Sequence, residues 1–236
     1  MFSNISNYVF SVGRITPGGK SISLLGTAFA IEKIGCFATA AHVVNCNDND
    51  LVIIPNSISS IHDYQDTSQT HVQYFRVKLL EINPMGDVCI LQAQSLPLPL
   101  LSLSTLTPFS LSSTDNIKVG SEVLTFGYPH CDHSRRVLTQ QHTRIGAKIL
   151  IDVKGIKFKN IILNIQARPG QSGSPIICPA TKEIVGMIIG PYVPDSNGGI
   201  LLGNIDPETL HQTTHAISAE YIKEMIYWLN WKNYSM

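Results

Sequence analysis

The segment Arg168–Pro175 places a serine where a nucleophile could act. It reads Arg-Pro-Gly-Gln-Ser-Gly-Ser-Pro, so Ser172 lies between Gly170 and Gly173. Gly170 can adopt backbone conformations that turn its own N–H and that of Ser172 toward one point. A hydroxyl beside two converging N–H groups supplies what acyl transfer needs, a nucleophile and an oxyanion hole. Taken alone, however, a cluster of Gly, Ser and Pro is more often an ordinary turn.

Two further segments offer a base and an acid. His42 stands in Thr39–Val44 (Thr-Ala-Ala-His-Val-Val), and Asp87 directly precedes the apolar run Val-Cys-Ile-Leu. A neutral imidazole can take a proton from a hydroxyl near pH 7 and later return it. A carboxylate at the edge of a strand can accept the imidazole N–H and fix its tautomer. The alternatives are a buried structural histidine and an ordinary turn aspartate.

Taken together, the order and context of His42, Asp87 and Ser172 resemble the trypsin-like, chymotrypsin-fold serine peptidases, most closely the HtrA/DegP-like branch. That family has small residues between a Thr and the His, and alternating apolar residues after the Asp. Its nucleophile motif is Gly-Asn/Asp-Ser-Gly-Gly-Pro, from which this chain departs at Gln171 and Ser174. The resemblance covers roughly residues 9 to 229, including 119–129 and 215–218 in the second half, and no PDZ segment follows.

The resemblance implies an all-β fold of two Greek-key six-stranded barrels with a C-terminal α-helix. Residues 1–105 would form the barrel with His42 and Asp87, and 106–236 the barrel with Ser172 and a helix over 218–231. Ser172 would attack the peptide carbonyl, His42 would act as base and then acid, and Asp87 would orient His42. The oxyanion hole would be formed by Gly170, Gln171 and Ser172.

The same resemblance predicts a primary pocket without a negative charge. In this family the residue six positions before the serine often lines the pocket base, and here it is uncharged, so cleavage after Lys or Arg is disfavoured. We expect a narrow slot for small or medium apolar side chains, although a histidine there would instead bind a polar or acidic one. The expected lining residues are Gln166, Ala167, Arg168, Ile188, Ile189 and His215.

Two histidine-containing segments have metal-ligand character but fit poorly. His211 and His215 have the spacing of a helical zinc site, but the glutamate base of that motif is missing and the segment carries β-branched residues. The run 130–133, His-Cys-Asp-His, follows a Gly-Tyr-Pro turn and is interpreted as a polar loop. We therefore expect no metal and no cofactor.

The elements that must position these residues are short strands. Eleven apolar, β-branched segments separated by Gly, Pro and Asn predict sandwiches or barrels. They are 6–12, 21–31, 51–54, 73–82, 88–92, 122–126, 143–153, 161–165, 175–178, 184–189 and 200–203. The Pro-rich stretch 95–116 is predicted to be a surface linker, and 39–44 a single helical turn. A C-terminal helix, capped by Ser218, is expected to dock on the second barrel.

Composition limits the partners. The chain has 236 residues with 17 basic and 17 acidic side chains, which argues against nucleic-acid or membrane-surface binding. Five cysteines without a close pair, and no secretory pattern at the start, favour a reducing, cytoplasmic location. The expected partner is a polypeptide substrate. Alternatives are a catalytically impaired binding module, or a peptidase that stays latent until an activating or targeting protein binds.

Overall fold

A computed structural model describes residues 2–32, 35–95, 109–131, 135–192 and 213–234. The first half of the chain forms a closed barrel in which neighbouring strands run in the order β1-β2-β3-β6-β5-β4. Because β4 pairs with β1 while β1, β2 and β3 follow one another, the order is that of a Greek key. The strands are β1 (Val9–Ile15), β2 (Ile22–Ala30), β3 (Cys36–Ala40), β4 (Leu51–Ile54), β5 (Phe75–Asn83) and β6 (Val88–Ala93). The short helix α1 (Ala41–Val44) follows β3 directly.

The second half repeats this arrangement in the order β10-β11-β12-β9-β8-β7. Here β10 pairs with β7, which closes the barrel and again gives the Greek-key order. The strands are β7 (Glu122–Gly127), β8 (Thr139–Val153), β9 (Ile156–Leu163), β10 (Pro175–Cys178), β11 (Glu183–Tyr192) and β12 (Thr213–Ser218), and the helix α2 spans Glu220–Tyr234. The predicted fold class, two six-stranded barrels and a terminal helix, is confirmed.

The barrels share an apolar core that fixes how their loops face each other. Phe2 packs against Phe109 and Phe126, with ring centroids 5.9 and 5.8 Å apart. Tyr128, which follows β7, is fully buried and donates its hydroxyl to Asn56 Oδ1 in the first barrel at 2.6 Å. Burying each such side chain contributes about 1.5–3 kcal/mol, so these contacts hold the two barrels against each other.

Ten of the eleven predicted segments overlap observed strands, and the eleventh, 200–203, lies outside the described residues. β3 was not among them, because its Cys-Phe-Ala-Thr-Ala sequence contains a single β-branched residue and lacks the usual strand signal. The predicted linker 95–116 is only partly described. The C-terminal part of this segment does not run over the surface, since Leu111 is buried and forms a β-bridge with Ile184 of β11.

The terminal helix differs from the prediction at its start and in its docking. Ser218 does not cap it: this residue ends β12, and its hydroxyl accepts a hydrogen bond from the Thr114 N–H at 3.0 Å. The apolar face of α2, led by Ile222, packs against β6 of the first barrel rather than on the second. Only the beginning of the helix contacts the second barrel, where Tyr221 Oη accepts a hydrogen bond from the Lys159 N–H.

Candidate active site

His42 and Asp87 form a hydrogen-bonded pair at the ends of neighbouring strands. β3 leads into α1, which carries His42, and β6 begins just after Asp87; Ala40 and Val88 are paired across the two strands. Asp87 Oδ2 lies 2.5 Å from His42 Nδ1, and Asp87 Oδ1 accepts the His42 backbone N–H at 2.8 Å. A carboxylate on Nδ1 fixes the proton on that nitrogen, so Nε2 is the free, basic one.

The backbone at Asp87 turns its carboxylate toward the imidazole. Asp87 has a φ of 55°, in the left-handed region that aspartate tolerates better than most residues. Its carbonyl accepts the Ala41 N–H at 3.1 Å, which ties it to the start of α1. The His42 side chain is 49% exposed and that of Asp87 only 25%, so the base is open to a substrate while the acid is shielded.

The loop with Ser172 is a tight turn held from within. The Gln171 N–H bonds the Arg168 carbonyl and the Ser174 N–H bonds the Gln171 carbonyl, both at 3.0 Å. Gly173 has a φ of 85° and donates its N–H to Ile188 O. A Cβ on Gly173 would overlap the Thr27 carbonyl oxygen, so only glycine fits at this position.

The first barrel holds this loop through Thr27 of β2. Its N–H donates to the Ser172 carbonyl at 2.9 Å, and its hydroxyl donates to the Gly170 carbonyl at 2.8 Å. Thr39 of β3 donates in turn to the Thr27 carbonyl at 2.6 Å. Gly26 lies where the two halves meet, since a Cβ there would be 3.0 Å from Ser172 O and 2.9 Å from Val43 Cγ2. The serine loop and the helix with His42 therefore flank the same residue.

The Ser172 hydroxyl is hydrogen-bonded to β11 rather than to the imidazole in this structure. It donates to the Ile189 carbonyl of β11 at 2.8 Å and makes no hydrogen bond with His42. Serine has a single rotatable side-chain bond with three staggered positions, so the hydroxyl can be redirected without moving the backbone.

The peptide between Pro169 and Gly170 has a defined orientation. The Pro169 carbonyl accepts the His130 N–H at 2.6 Å, and Gly170 has a φ of 91°. Because a trans peptide is planar, the Gly170 N–H points to the side opposite this carbonyl, away from His130. Within the described part of the chain, neither the Gly170 nor the Ser172 N–H has a protein acceptor. Both remain available to an oxygen atom from outside.

Gln171 is not part of this donor pair, contrary to the prediction. Its backbone N–H is bonded to Arg168 O. Its side chain is buried, accepting the Arg168 N–H at 2.7 Å and donating to Gln141 Oε1 at 2.6 Å. Gln171 thus braces the loop from behind. Ser174, the second departure from the family motif, is fully buried, and its hydroxyl fills space that a Cβ on Gly127 would occupy.

The predicted pocket residues do not all lie together. Gln166, Ala167 and Arg168 form the segment before the serine loop, half-buried to exposed. Ile188 is fully buried in the core of the second barrel and presents no surface, because alternate residues of β11 point inward. Ile189 is partly exposed and supplies its carbonyl to the serine.

His215 also lies elsewhere than predicted. Its neighbour Thr214 takes the position against the pocket segment, where its hydroxyl accepts the Ala167 N–H at 2.7 Å and donates to Ile165 O at 2.8 Å. His215 points to the opposite face of β12, as successive strand residues do.

Sequence reasoning missed the supporting residues Thr27, Thr39, His130 and Thr214. Thr39 stands inside the segment quoted for the base, but its hydroxyl acts on the Thr27 carbonyl, 12 residues away. Thr27 in turn bonds Gly170, 143 residues away, which no local pattern reveals. His130 acts through its backbone, so its side-chain type carries no signal.

The metal-like segments are only partly described: Asp132, His133 and His211 lie outside. Among the described residues, no three His, Cys, Asp or Glu side chains come together as a metal site. None of the described helices is long and apolar enough to span a membrane.

Comparison with known proteins identifies the family. The sequence profile of the trypsin-like peptidase domain matches residues 26–187, a stretch that includes His42, Asp87 and Ser172. The chain therefore belongs to the trypsin-like peptidase family and is classed with the serine proteases, which are hydrolases. A curated relative, a probable periplasmic serine endoprotease DegP-like of Pseudomonas fulva (strain 12-X), is 30% identical over 176 residues. The match covers 72% of this chain and 31% of the relative, so the chain spans about a third of that relative's length.

Solved structures have the same fold. The active form of the Rv3671c protease of M. tuberculosis matches with a TM-score of 0.63 and 19% identity, over 93% of this chain and 79% of that one. The MamO protease domain of Magnetospirillum magneticum gives 0.63 and 13%, over 95% and 98%. The HtrA-type protease AlgW with a tripeptide gives 0.63 and 17%, over 96% and 61%. These matches show that the chain shares its fold with the three proteases.

Proposed function

We propose that this protein is a serine endopeptidase in which Ser172, His42 and Asp87 act as a catalytic triad. The observation that carries the proposal is the His42–Asp87 pair, with both carboxylate oxygens bonded to the same histidine. Family membership supports the reaction class, and the loop bonded to Thr27 supports the choice of serine.

The proposed reaction follows from these atoms. His42 Nε2 takes the proton of Ser172 Oγ as Oγ bonds to the substrate carbonyl carbon, and the carbonyl oxygen becomes negative. The N–H groups of Gly170 and Ser172 stabilise that charge, and each such donor contributes about 2.7–4 kcal/mol to the transition state. The C–N bond then breaks, and His42 returns the proton to the leaving amine. Water hydrolyses the acyl-enzyme by the same steps in reverse order.

Substrate entry must redirect the serine hydroxyl. In the resting arrangement it is bonded to Ile189 O, and catalysis requires it to turn toward His42. A rotation about Cα–Cβ suffices for this step because the loop backbone is already held by Thr27 and Ile188.

For specificity we propose a preference for small or medium apolar side chains. Gln166 carries no charge, so it offers no counter-ion for a bound Lys or Arg. The Thr214 hydroxyl, at the base of this segment, is already bonded to the Ala167 N–H and to Ile165 O, so it is not free to recognise a polar substrate group. A peptide library tests this directly, and preferred cleavage after arginine would overturn it.

Hydrolysis of a fluorogenic peptide library by the purified chain tests the catalytic proposal. Ser172→Ala should abolish turnover, whereas Ser23→Ala, at an exposed serine of β2, should leave it unchanged. Circular dichroism of both variants checks that they fold. Normal hydrolysis by Ser172→Ala would contradict the proposal.

A second candidate is a latent peptidase that an activating protein switches on, and the Ser172–Ile189 bond favours it. The bond between Pro169 O and His130 N–H argues the other way, because it already orients one oxyanion donor. Comparing the purified chain with and without cell extract separates the two. Full activity of the isolated chain would exclude latency.

We also propose a cytoplasmic location. All five cysteines lie in the described residues and none forms a disulfide, which suits a reducing compartment. Immunogold labelling of cells that express the protein from its own gene is the test, and a signal confined to the cell envelope would contradict it.

A further inference from the structure

His215 occupies the outer face of β12, on the side of the triad. It is paired with Gly190 of β11 and with Ile162 of β9. Thr214 and Ala216 on either side are fully buried and point into the second barrel. Since successive side chains alternate along a strand, His215 and Ile217 point out of that barrel together.

This outer face meets the loop that carries Asp87. Ile217 Cδ1 lies 3.3 Å from the position that a Cβ on Gly86 would take, and Gly86 directly precedes Asp87. His215 is two residues from Ile217 on the same face, about 6–7 Å along the strand. It therefore lies on the face of β12 that meets the Asp87 loop, within electrostatic reach of both Asp87 and His42.

The surroundings of His215 favour an uncharged ring. Burial lowers its pKa from the ordinary value, and the positive charge on His42 acts in the same direction. A hydrogen bond with the Pro191 carbonyl and the charge of Asp87 oppose this, but burial is the largest effect. Nδ1 is buried and has no hydrogen-bond partner within the described residues.

We propose that His215 is a positioning residue. While its imidazole is neutral, the Asp87 carboxylate stabilises His42 alone. When it is protonated, it attracts the same carboxylate, which weakens His42 as a base. This inference rests on the proposed triad. During acylation His42 becomes cationic and depends on Asp87 for stabilisation. A second positive charge, on His215, would compete for the same carboxylate. Acid should therefore inactivate the peptidase through two protonations, of His42 and of His215, rather than one.

Within the described residues, few titratable groups face His215. Asp87 comes from the loop before β6, His42 from α1, and Tyr192 from β11, with its ring centroid 6.2 Å from that of His215. β9 contributes the uncharged Ile162. Among these groups, the charges that act on His215 are those of Asp87 and His42.

The pH dependence of kcat/KM, normalised to its own plateau, provides the first test. Below the ordinary histidine range, log kcat/KM of the wild type should reach a limiting slope of about 2, one for each protonation. His215→Phe keeps an uncharged ring and should give a slope of about 1. His215→Gln gives the same readout if the Phe variant does not fold. A slope of 2 in either folded variant, or of 1 in the wild type, would overturn the proposal.

A titration without catalysis separates this inference from the proposed function. In a Ser172→Ala background, the ring C–H signals of His215 are followed by NMR against pH. Adding His42→Gln should raise the His215 midpoint, and adding Asp87→Asn should lower it. Unmoved midpoints in both would refute the coupling even if the enzyme is active. Moved midpoints in a protein whose wild type is inactive would uphold the coupling and reject the triad function.

Discussion

The bond between Thr27 and Gly170 offers a sharp test of how one barrel positions the nucleophile of the other. The Thr27 hydroxyl is fully buried, donates to Gly170 O at 2.8 Å and accepts the Tyr128 N–H at 3.2 Å. Thr27→Val keeps the shape but leaves both backbone groups unpaired. Each unpaired buried group costs about 1–3 kcal/mol, so for the two groups we expect a loss of roughly 2–6 kcal/mol.

This loss should appear both in stability and in turnover. For a chain of this size about 1 kcal/mol shifts Tm by roughly 2–4 °C, so Thr27→Val should melt roughly 4–24 °C lower. Removing one oxyanion donor outright costs about 100- to 1,000-fold in kcat. Thr27→Val only loosens Gly170, which carries such a donor, so kcat should fall on the order of 10-fold with KM nearly unchanged.

Differential scanning calorimetry and peptide hydrolysis measure the two effects. Thr27→Ser is the matched control, since it keeps the hydroxyl and loses only a methyl group, worth about 0.8 kcal/mol. The reasoning would be refuted if Thr27→Val had the Tm and kcat of the wild type, or if Thr27→Ser lost as much kcat as Thr27→Val.

Three other changes have defined outcomes. Gly173→Ala should lose activity and several kcal/mol of stability in a urea melt, because its Cβ would overlap the Thr27 carbonyl at a φ of 85°; an active, stable variant would contradict this. Ser174→Ala removes a buried hydroxyl without a partner in the described residues and should raise the free energy of unfolding by up to about 1 kcal/mol, and Tm with it, whereas a clear fall in Tm would contradict this. The pKa of His215 in the folded protein lies below 6.5, so the unfolded chain binds the proton more readily. The free energy of unfolding therefore does not suffer from this group above pH 6.5, and it falls as the pH drops from 6.5 toward the pKa of the folded state. His215→Phe should flatten this fall, each unit of pKa difference contributing about 1.4 kcal/mol, and an equally steep fall would refute it.

The sequence predicted the barrels well because most strands are short runs of apolar and β-branched residues bounded by Gly, Pro or Asn. It failed at β3, whose Cys-Phe-Ala-Thr-Ala sequence has a single β-branched residue, and at Ser218, whose hydroxyl is used by Thr114 rather than by the helix. Which barrel the last helix covers depends on the packing of distant strands, so helical periodicity alone could not predict its contact with β6.

For the candidate site, residue types and order located the three triad positions, and the structure brings His42 and Asp87 into contact. The direction of individual side chains was less predictable. Ile188 and His215 were both placed in the pocket, but strand alternation turns the first into the barrel core and the second toward Asp87. A shift of one residue in the pairing of a strand would exchange its two faces. That register is set by pairing with strands remote in sequence.

The central claim is that His42 activates Ser172, and covalent labelling tests it most directly. The purified chain is treated with a fluorophosphonate, and adducts are located by intact mass and peptide mapping. We predict a single adduct on Ser172 whose rate of formation falls at least 100-fold in His42→Ala, consistent with loss of the general base. Absence of an adduct, or labelling of Ser172 at the same rate in His42→Ala, would contradict the account.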